Sequence, residues 1–208
     1  MDERAALAAL RSRSLNFDLA RLPEMVRAGG WRVDDLRQPL SREPPGEPVA
    51  GGVWERTRRL VDTYQVADPA TVRATYDENA PLEGRDMLLT LRYCGLRIHC
   101  GVRVGDVYES NREEDGRSAR IYGWNYRTLE GHLEQGQVAY EVWKWRDTGA
   151  VEFHIHAVSR PADSGNPFLR LGFRLVGRRQ QLRFYHRACR RIARLVREQE
   201  AVDLKRAS

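Results

Sequence analysis

Apolar residues towards the C-terminus recur with the period of a helix. Phe168, Leu171, Leu175, Leu182, Tyr185, Cys189, Ile192 and Val196 follow one another at intervals that mostly alternate three and four, which is one buried stripe. Asn166-Pro167 supplies a side-chain cap and then a residue pre-set for the first turn, so a long helix is predicted from Asn166 to about Glu200. Upstream, between Val53 and Pro161, the period falls to two. Leu96, Ile98, Cys100, Val102 and Val104 alternate with Arg97, His99 and Arg103, as in a half-buried strand. Tyr122, Trp124 and Tyr126 share one face of a strand over 119–126. Residues 137–146 and 150–160 form a hairpin across Asp147-Thr148-Gly149. Val53–Val66 reads as the first strand, 68–77 as a helix begun by Asp68-Pro69, and Met87–Tyr93 as a further strand.

The first fifty residues have a different texture. Asp2–Arg13 and Leu19–Ala28 read as short helices, the second ended by Gly29-Gly30. Ser41–Gly52 carries Pro44, Pro45, Pro48 and three glycines, a linker by composition. The chain therefore divides into an N-terminal helical extension with its linker (1–51), a main domain (52–200) and a tail (201–208). The extension is either a cap packed on the domain or a loosely held arm. Strands followed by one segregated helix make an α+β architecture: a curved antiparallel sheet wrapped around a long C-terminal helix, enclosing a space.

Charge adds one feature to this outline. Ten arginines and no acid lie between Arg170 and Arg197, and without them the net charge of +6 becomes −4. Basicity thus belongs to one helix. No apolar run reaches membrane-spanning length, and Met1-Asp2-Glu3-Arg4 has acids where a secretory leader has bases. Cys94, Cys100 and Cys189 are an odd set without metal-site spacing. Buried, reduced thiols in the cytoplasm are the expectation.

Several stretches carry a resemblance. Tyr64-Gln65-Val66-Ala67-Asp68-Pro69, the run from Pro81 to Leu89, the run Gly123-Trp124-Asn125-Tyr126 through Glu130-Gly131-His132-Leu133-Glu134 to Gly136, Ser159-Arg160-Pro161 and Arg170–Arg174 resemble the family catalogued as domain of unknown function nineteen-ninety. The likeness covers about Gly52 to Val196. It implies the START-like, birch-pollen-allergen superfamily, a helix-grip fold whose members bind lipids, sterols or aromatic polyketides, some being cyclases or hydrolases. A fold at that level assigns no reaction.

Four constellations are candidates for chemistry. Tyr93, Tyr122, Trp124, Tyr126, Tyr140, Trp143 and Tyr185 offer aromatic faces with polar tips, suited to a flat or greasy ligand. Alternation sets Tyr140 opposite in facing to Trp143 and Trp145, so some of these rings lie outside. Thr128, Glu130, His132 and Glu134 gather a hydroxyl, two carboxylates and an imidazole at one turn, fit for acid–base catalysis by Thr128, His132 and Glu134 or for a turn clasp. Ser159 and Arg160, at the end of the last strand, would complete a clasp or hold an anion. Glu152, His154 and His156 share one strand face, with His99 elsewhere. Exposed polar positions give the same pattern, and we assign no metal and no cofactor. Arg183, Arg187, Arg190, Arg191 and Arg194 form a basic surface that pairs with acids of the chain or takes an anionic partner. Arg178 and Arg179 interrupt the apolar seam, so one of them is expected to meet a carboxylate or a ligand anion inside.

Three functions follow from the sequence: binding of a small apolar or aromatic ligand in a cavity between sheet and helix, an enzyme of cyclase or isomerase type acting in that cavity, and an interaction protein working through its arginine face.

Overall fold

The computed structural model describes residues 2–93, 96–162 and 177–207. Elements follow in the order α1 (Glu3–Ala8), a 3-10 turn (Ala9–Ser12), α2 (Leu22–Ala28), β1 (Arg32–Arg42), α3 (Val53–Asp62), β2 (Val72–Thr75), β3 (Asp86–Tyr93), β4 (Leu96–Glu114), β5 (Arg117–Thr128), β6 (Glu134–Trp145), β7 (Ala150–Pro161) and α4 (Arg178–Ala207). The strands form one antiparallel sheet in the order β1-β7-β6-β5-β4-β3-β2. Its curled inner face holds α4, with Tyr185, Ala188, Cys189, Ile192 and Val196 in the same core as Val102, Trp124, Tyr140 and Phe153. This is the helix-grip arrangement. The Asn166-Pro167 cap and Phe168, Leu171 and Leu175 of the predicted stripe lie outside the described residues. At its other end the helix runs on through the expected tail to Ala207.

Period-two alternation decides which strand residues face the helix. On β7, Val151, Phe153, Ile155 and Ala157 point inward, with Glu152 and His156 between them less buried. On β6, Val138, Tyr140 and Val142 belong to the main core, whereas Trp143 and Trp145 pack with Ala119 and Ile121 in a separate cluster on the outer face.

Two elements differ from the sequence reading. Val53–Asp62 is a helix, not a strand. Its buried residues are Val53, Trp54, Thr57, Leu60 and Val61, the i, i+1, i+4, i+7, i+8 stripe of a helix, and the local Val and Thr content had suggested strand. Asp68-Pro69 opens a turn, not a helix. The Asp68 carboxylate accepts from the amide of Ala70 and its carbonyl from those of Thr71 and Val72, after which the chain enters β2.

The N-terminal segment is built into the same body. Arg32–Arg42 pairs with β7 from Arg32 opposite Ser159 to Arg42 opposite Ala150. Leu10 is fully buried against Leu88 and Leu129, and Arg103 donates to the carbonyl of Leu10 at 2.9 Å.

The Pro/Gly-rich stretch is pinned by a buried ion pair. Lys144, the last inward residue of β6, has no exposed surface, and its Nζ lies 2.6 Å from Glu43 Oε2. The same carboxylate accepts from the amides of Val49 and Trp54, so it also caps the positive end of α3. Lys144 donates again to the Glu47 carbonyl. Gly149 closes the adjoining hairpin at φ +68°, where a Cβ would stand 1.9 Å from the Glu43 carbonyl oxygen. Removing one member of a buried pair strands the other charge, whereas removing both does not. Lys144→Met is therefore expected to cost roughly 3–5 kcal/mol in urea unfolding, with most of that recovered in the double variant Glu43→Leu/Lys144→Met.

Candidate functional site

Under the first turns of α4 the core changes from aliphatic to aromatic and polar. Tyr64, Trp124, Tyr126, Tyr140 and Phe153 pack ring against ring. Trp124 and Tyr140 meet edge-on with centroids 5.4 Å apart, Tyr126 and Tyr140 lie at 5.9 Å, and Tyr140 stacks on Phe153 at 6.2 Å. Tyr64 lies 6.2–6.4 Å from Trp124, Tyr126 and Tyr140, and Tyr185 descends from the helix beside them. Rings thus fill the part of the interior where the sequence suggested a continuous space.

The polar side of this cluster comes from inward positions at the ends of three strands and from the first turn of the helix. Glu134 begins β6 and faces inward. Its Oε2 accepts from Gln181 Nε2 at 3.0 Å, and the same nitrogen reaches Ser159 Oγ at 2.9 Å. Asp34 on β1 takes both arms of the Arg178 guanidinium at 2.6 and 2.5 Å. Arg178 therefore meets a carboxylate, as its place in the apolar seam suggests, and the carboxylate belongs to the N-terminal segment. Among the described residues, Trp124 Nε1 and Glu134 Oε1 are buried here without a hydrogen-bond partner, and the hydroxyls of Tyr64, Tyr126 and Tyr140 turn towards one another. Each uncompensated group of this kind costs about 1–3 kcal/mol.

Burial sets the protonation states. It pushes the phenols of Tyr64, Tyr140 and Tyr185 well above their ordinary value and that of Tyr126 to about 12, so all four remain hydroxyl donors. Desolvation raises the Cys100 thiol to about 11. It also raises Glu134 to about 7, against the opposing pull of Arg32 and Arg178. Glu134 is thus the group in this cluster that changes charge near neutral pH.

The expected catalytic set is divided. Only Glu134 faces the cluster. His132 Nδ1 accepts from the Glu134 amide at 2.9 Å, and burial lowers this imidazole to about 4, keeping it neutral. The Thr128 hydroxyl contacts Asn16 Oδ1 at 2.6 Å and takes the Gly136 amide at 2.9 Å. Those two residues clasp the turn, because its backbone donors and acceptors need partners. Of the expected ligand-binding residues, Trp124, Tyr126, Tyr140, Ser159, Arg178 and Tyr185 come together. Tyr122 faces inward farther along β5, where its hydroxyl donates to Asp62 and Arg58 lies over its ring. Trp143 is on the outer face, stacked on His154 and donating to Glu141. Arg160 also points outward, to Gln135 and over the Trp31 ring. The side chain of Tyr93 lies outside the described residues.

The remaining candidates are engaged singly. His154 pairs with Glu152, His156 with Asp35, and His99 contacts the Thr90 hydroxyl. Arg191 leaves the expected basic face, donating to the Gln65 carbonyl at 2.8 Å. Arg170 and Arg174 lie outside the described residues. Asp34, Tyr64 and Gln181 are the members of the cluster that the sequence reading missed. Tyr64 stood in a quoted motif, but there the segment was taken for a strand.

A groove of about 310 Å³ adjoins the cluster, lined by Thr63–Gln65, Ala67, Pro69 and Val72–Tyr76 among others. Tyr64 belongs to both, forming the partition between groove and aromatic interior. Its backbone is left-handed at φ +55°, uncommon for a bulky side chain, where α3 ends with the Tyr64 amide on the Val61 carbonyl and the Gln65 amide on that of Leu60.

A family model described as "Domain of unknown function (DUF1990)" matches residues 19–191. No curated protein matches the chain. Among solved structures, a point mutant of Thalictrum flavum norcoclaurine synthase in complex with a transition-state analogue aligns at TM-score 0.48 and 10% identity, covering 82% of this chain and 96% of that one. The protein named Ara h 8.0201 aligns at 0.43 and 10%, covering 81% and 99%. Human STARD10 aligns at 0.34 and 10%, covering 90% and 76%. These are distant likenesses of shape, and the helix-grip description rests on this chain's own sheet order and helix.

The Glu134 assignment has a measurable signature. A carboxyl whose folded pKa exceeds its unfolded one stabilises the fold when protonated, and that contribution is lost as pH rises from about 4.5 to about 7. His132 acts in the opposite sense, so the two are separated by a difference measurement. The stability of Glu134→Gln relative to the parent should rise across this window by on the order of 3 kcal/mol, followed by chemical denaturation at successive pH values.

Proposed function

We propose that this chain, which belongs to the DUF1990 family, binds a small, mostly apolar or aromatic molecule between sheet and C-terminal helix. The ligand carries a carbonyl or hydroxyl that reaches the tyrosine–Glu134 cluster. One observation carries the reading: Tyr64 walls a ligand-sized groove on one side and, on the other, belongs to a ring cluster that holds an unpartnered buried indole N–H and carboxylate oxygen. Pockets for small molecules are mostly apolar, about 300–1,000 Å³, with a few placed polar groups. Rings supply the flat contact here, and Tyr64 and Tyr140 supply donors that stay protonated. Movement of Tyr64 joins groove to interior and makes room for a guest. A lipid-like or polyketide-like compound fits this description. Buried, free Cys100 and Cys189 suit the reducing cytoplasm.

A naphthol tests the proposal, being flat, apolar and tipped with one hydroxyl. Titrated against the full chain, it should quench Trp124 emission saturably. Tyr140→Phe should weaken that binding about five- to tenfold, the worth of one hydrogen bond of roughly 1 kcal/mol. Quenching that neither saturates nor responds to this change counts against the cluster as the site. Native mass spectrometry of protein purified from its own cells would identify a retained natural ligand.

Glu134 favours a second reading, an enzyme using this carboxyl in acid–base chemistry, since a general acid–base works best with a pKa near the operating pH. Glu134→Gln would then abolish turnover of a bound compound without preventing its binding. A third reading concerns the exterior, where the arginine-rich helix takes an anionic partner.

A further inference from the structure

The exposed face of α4 carries a more regular array than a merely basic helix requires. Arg179, Arg183, Arg187, Arg190, Arg194 and Arg197 are all exposed, and their spacings are four, four, three, four and three. Eighteen residues make five turns, so the helix presents one guanidinium per turn in a straight row about 27 Å long. Its opposite face is buried in the core through Tyr185, Cys189, Ile192 and Val196, which fixes the row's direction. Among the described residues only Arg194 of the six has a carboxylate within reach, Glu198 at 3.2 Å in a mutually exposed pair. The other acids near the helix end are turned elsewhere, Glu200 to Ser41 and Asp203 to Arg56.

Resting on the reading of this helix as a seat for an anion, we propose that the row binds the phosphate backbone of a nucleic-acid duplex without regard to sequence. Three features select this partner. The charges are arginines, whose planar fork grips phosphate oxygens in pairs where a lysine offers a point charge. The row is narrow and linear, as a polyanion's backbone is, and a duplex offers one phosphate charge per roughly 1.7 Å of axis. A membrane-surface helix needs an apolar face to sink between headgroups, and that face of α4 is covered by the sheet. The exposed large apolar residues among those described are Val33, Val49 and Val202, none within the row. The row itself has no aromatic residue on which unpaired bases could stack, so paired strands are preferred. Without the six arginines of the row the net charge of +6 falls to 0, so the chain's excess positive charge resides in this face.

Fluorescence anisotropy of a labelled twenty-base-pair DNA duplex with the full chain, over a series of salt concentrations, provides the test. Each phosphate neutralised contributes about 0.9 to the slope of log K against log salt, so four to six contacts give a slope of about −4 to −5. The triple variant Arg183→Gln/Arg187→Gln/Arg190→Gln should remain folded by circular dichroism and be shallower by roughly 2.7. Arg21→Gln/Arg27→Gln, at the two ends of α2, should leave the slope unchanged. Equal losses in both variants, or a salt-independent affinity, would overturn the proposal. Cosedimentation with phosphatidylserine vesicles separates the two levels of the claim. Vesicle binding without duplex binding overturns the duplex but leaves an anionic partner, and binding to neither overturns both.

Discussion

A sheet curled around a helix has to seal two open ends, and in this chain both seals are ionic. The inward row of β6 begins with Glu134 and ends with Lys144, with Gly136, Val138, Tyr140 and Val142 between them. At one end the seal is the Glu43–Lys144 pair, which ties the linker, the start of α3 and β6 together through a single carboxylate. At the other it is the Asp34–Arg178 pair, joining the first strand to the last helix beside Glu134. A buried charge is tolerated only with a partner and hydrogen bonds, so these residues fix where helix and linker can sit. Aliphatic packing alone would permit several positions.

The two ends are not equivalent. The Lys144 end is saturated, its ammonium and carboxylate both bonded to backbone as well as to each other. The Glu134 end is not: one carboxylate oxygen and an indole N–H are left over. A closed polar network lends rigidity and a half-satisfied one costs stability. The asymmetry therefore marks the Glu134 end as the one shaped for something besides folding.

The sheet and the terminal helix were legible in the sequence because each is half-buried over a long run, which prints a period of two or 3.6 directly into the residue types. The facing of Tyr140 against Trp143 followed from alternation alone. What stayed hidden had physical reasons. Helix α3 is short, with Val53, Thr57 and Val61 among its five buried positions, so the residue types on its buried stripe pull against its period. Strand β1 contains Asp34-Asp35, Arg37, Gln38 and Pro39, because an edge strand shows most of one face to solvent, and nothing in that run resembles a core strand. Asp34 was therefore invisible as a partner for Arg178, although the unmatched cation in the apolar seam had announced that a carboxylate was needed. The turn residues Thr128 and His132 looked catalytic because turn clasps and acid–base sites draw on the same side chains.

Pairing the first strand with the last also sets the timetable of folding. The partners Asp34 and Arg178 are 144 positions apart in the chain, and β1 has nothing to bond with until β7 has been made. Contacts of such long range are slow to form. The aromatic cluster is thus closed by segments that lie far apart in the sequence.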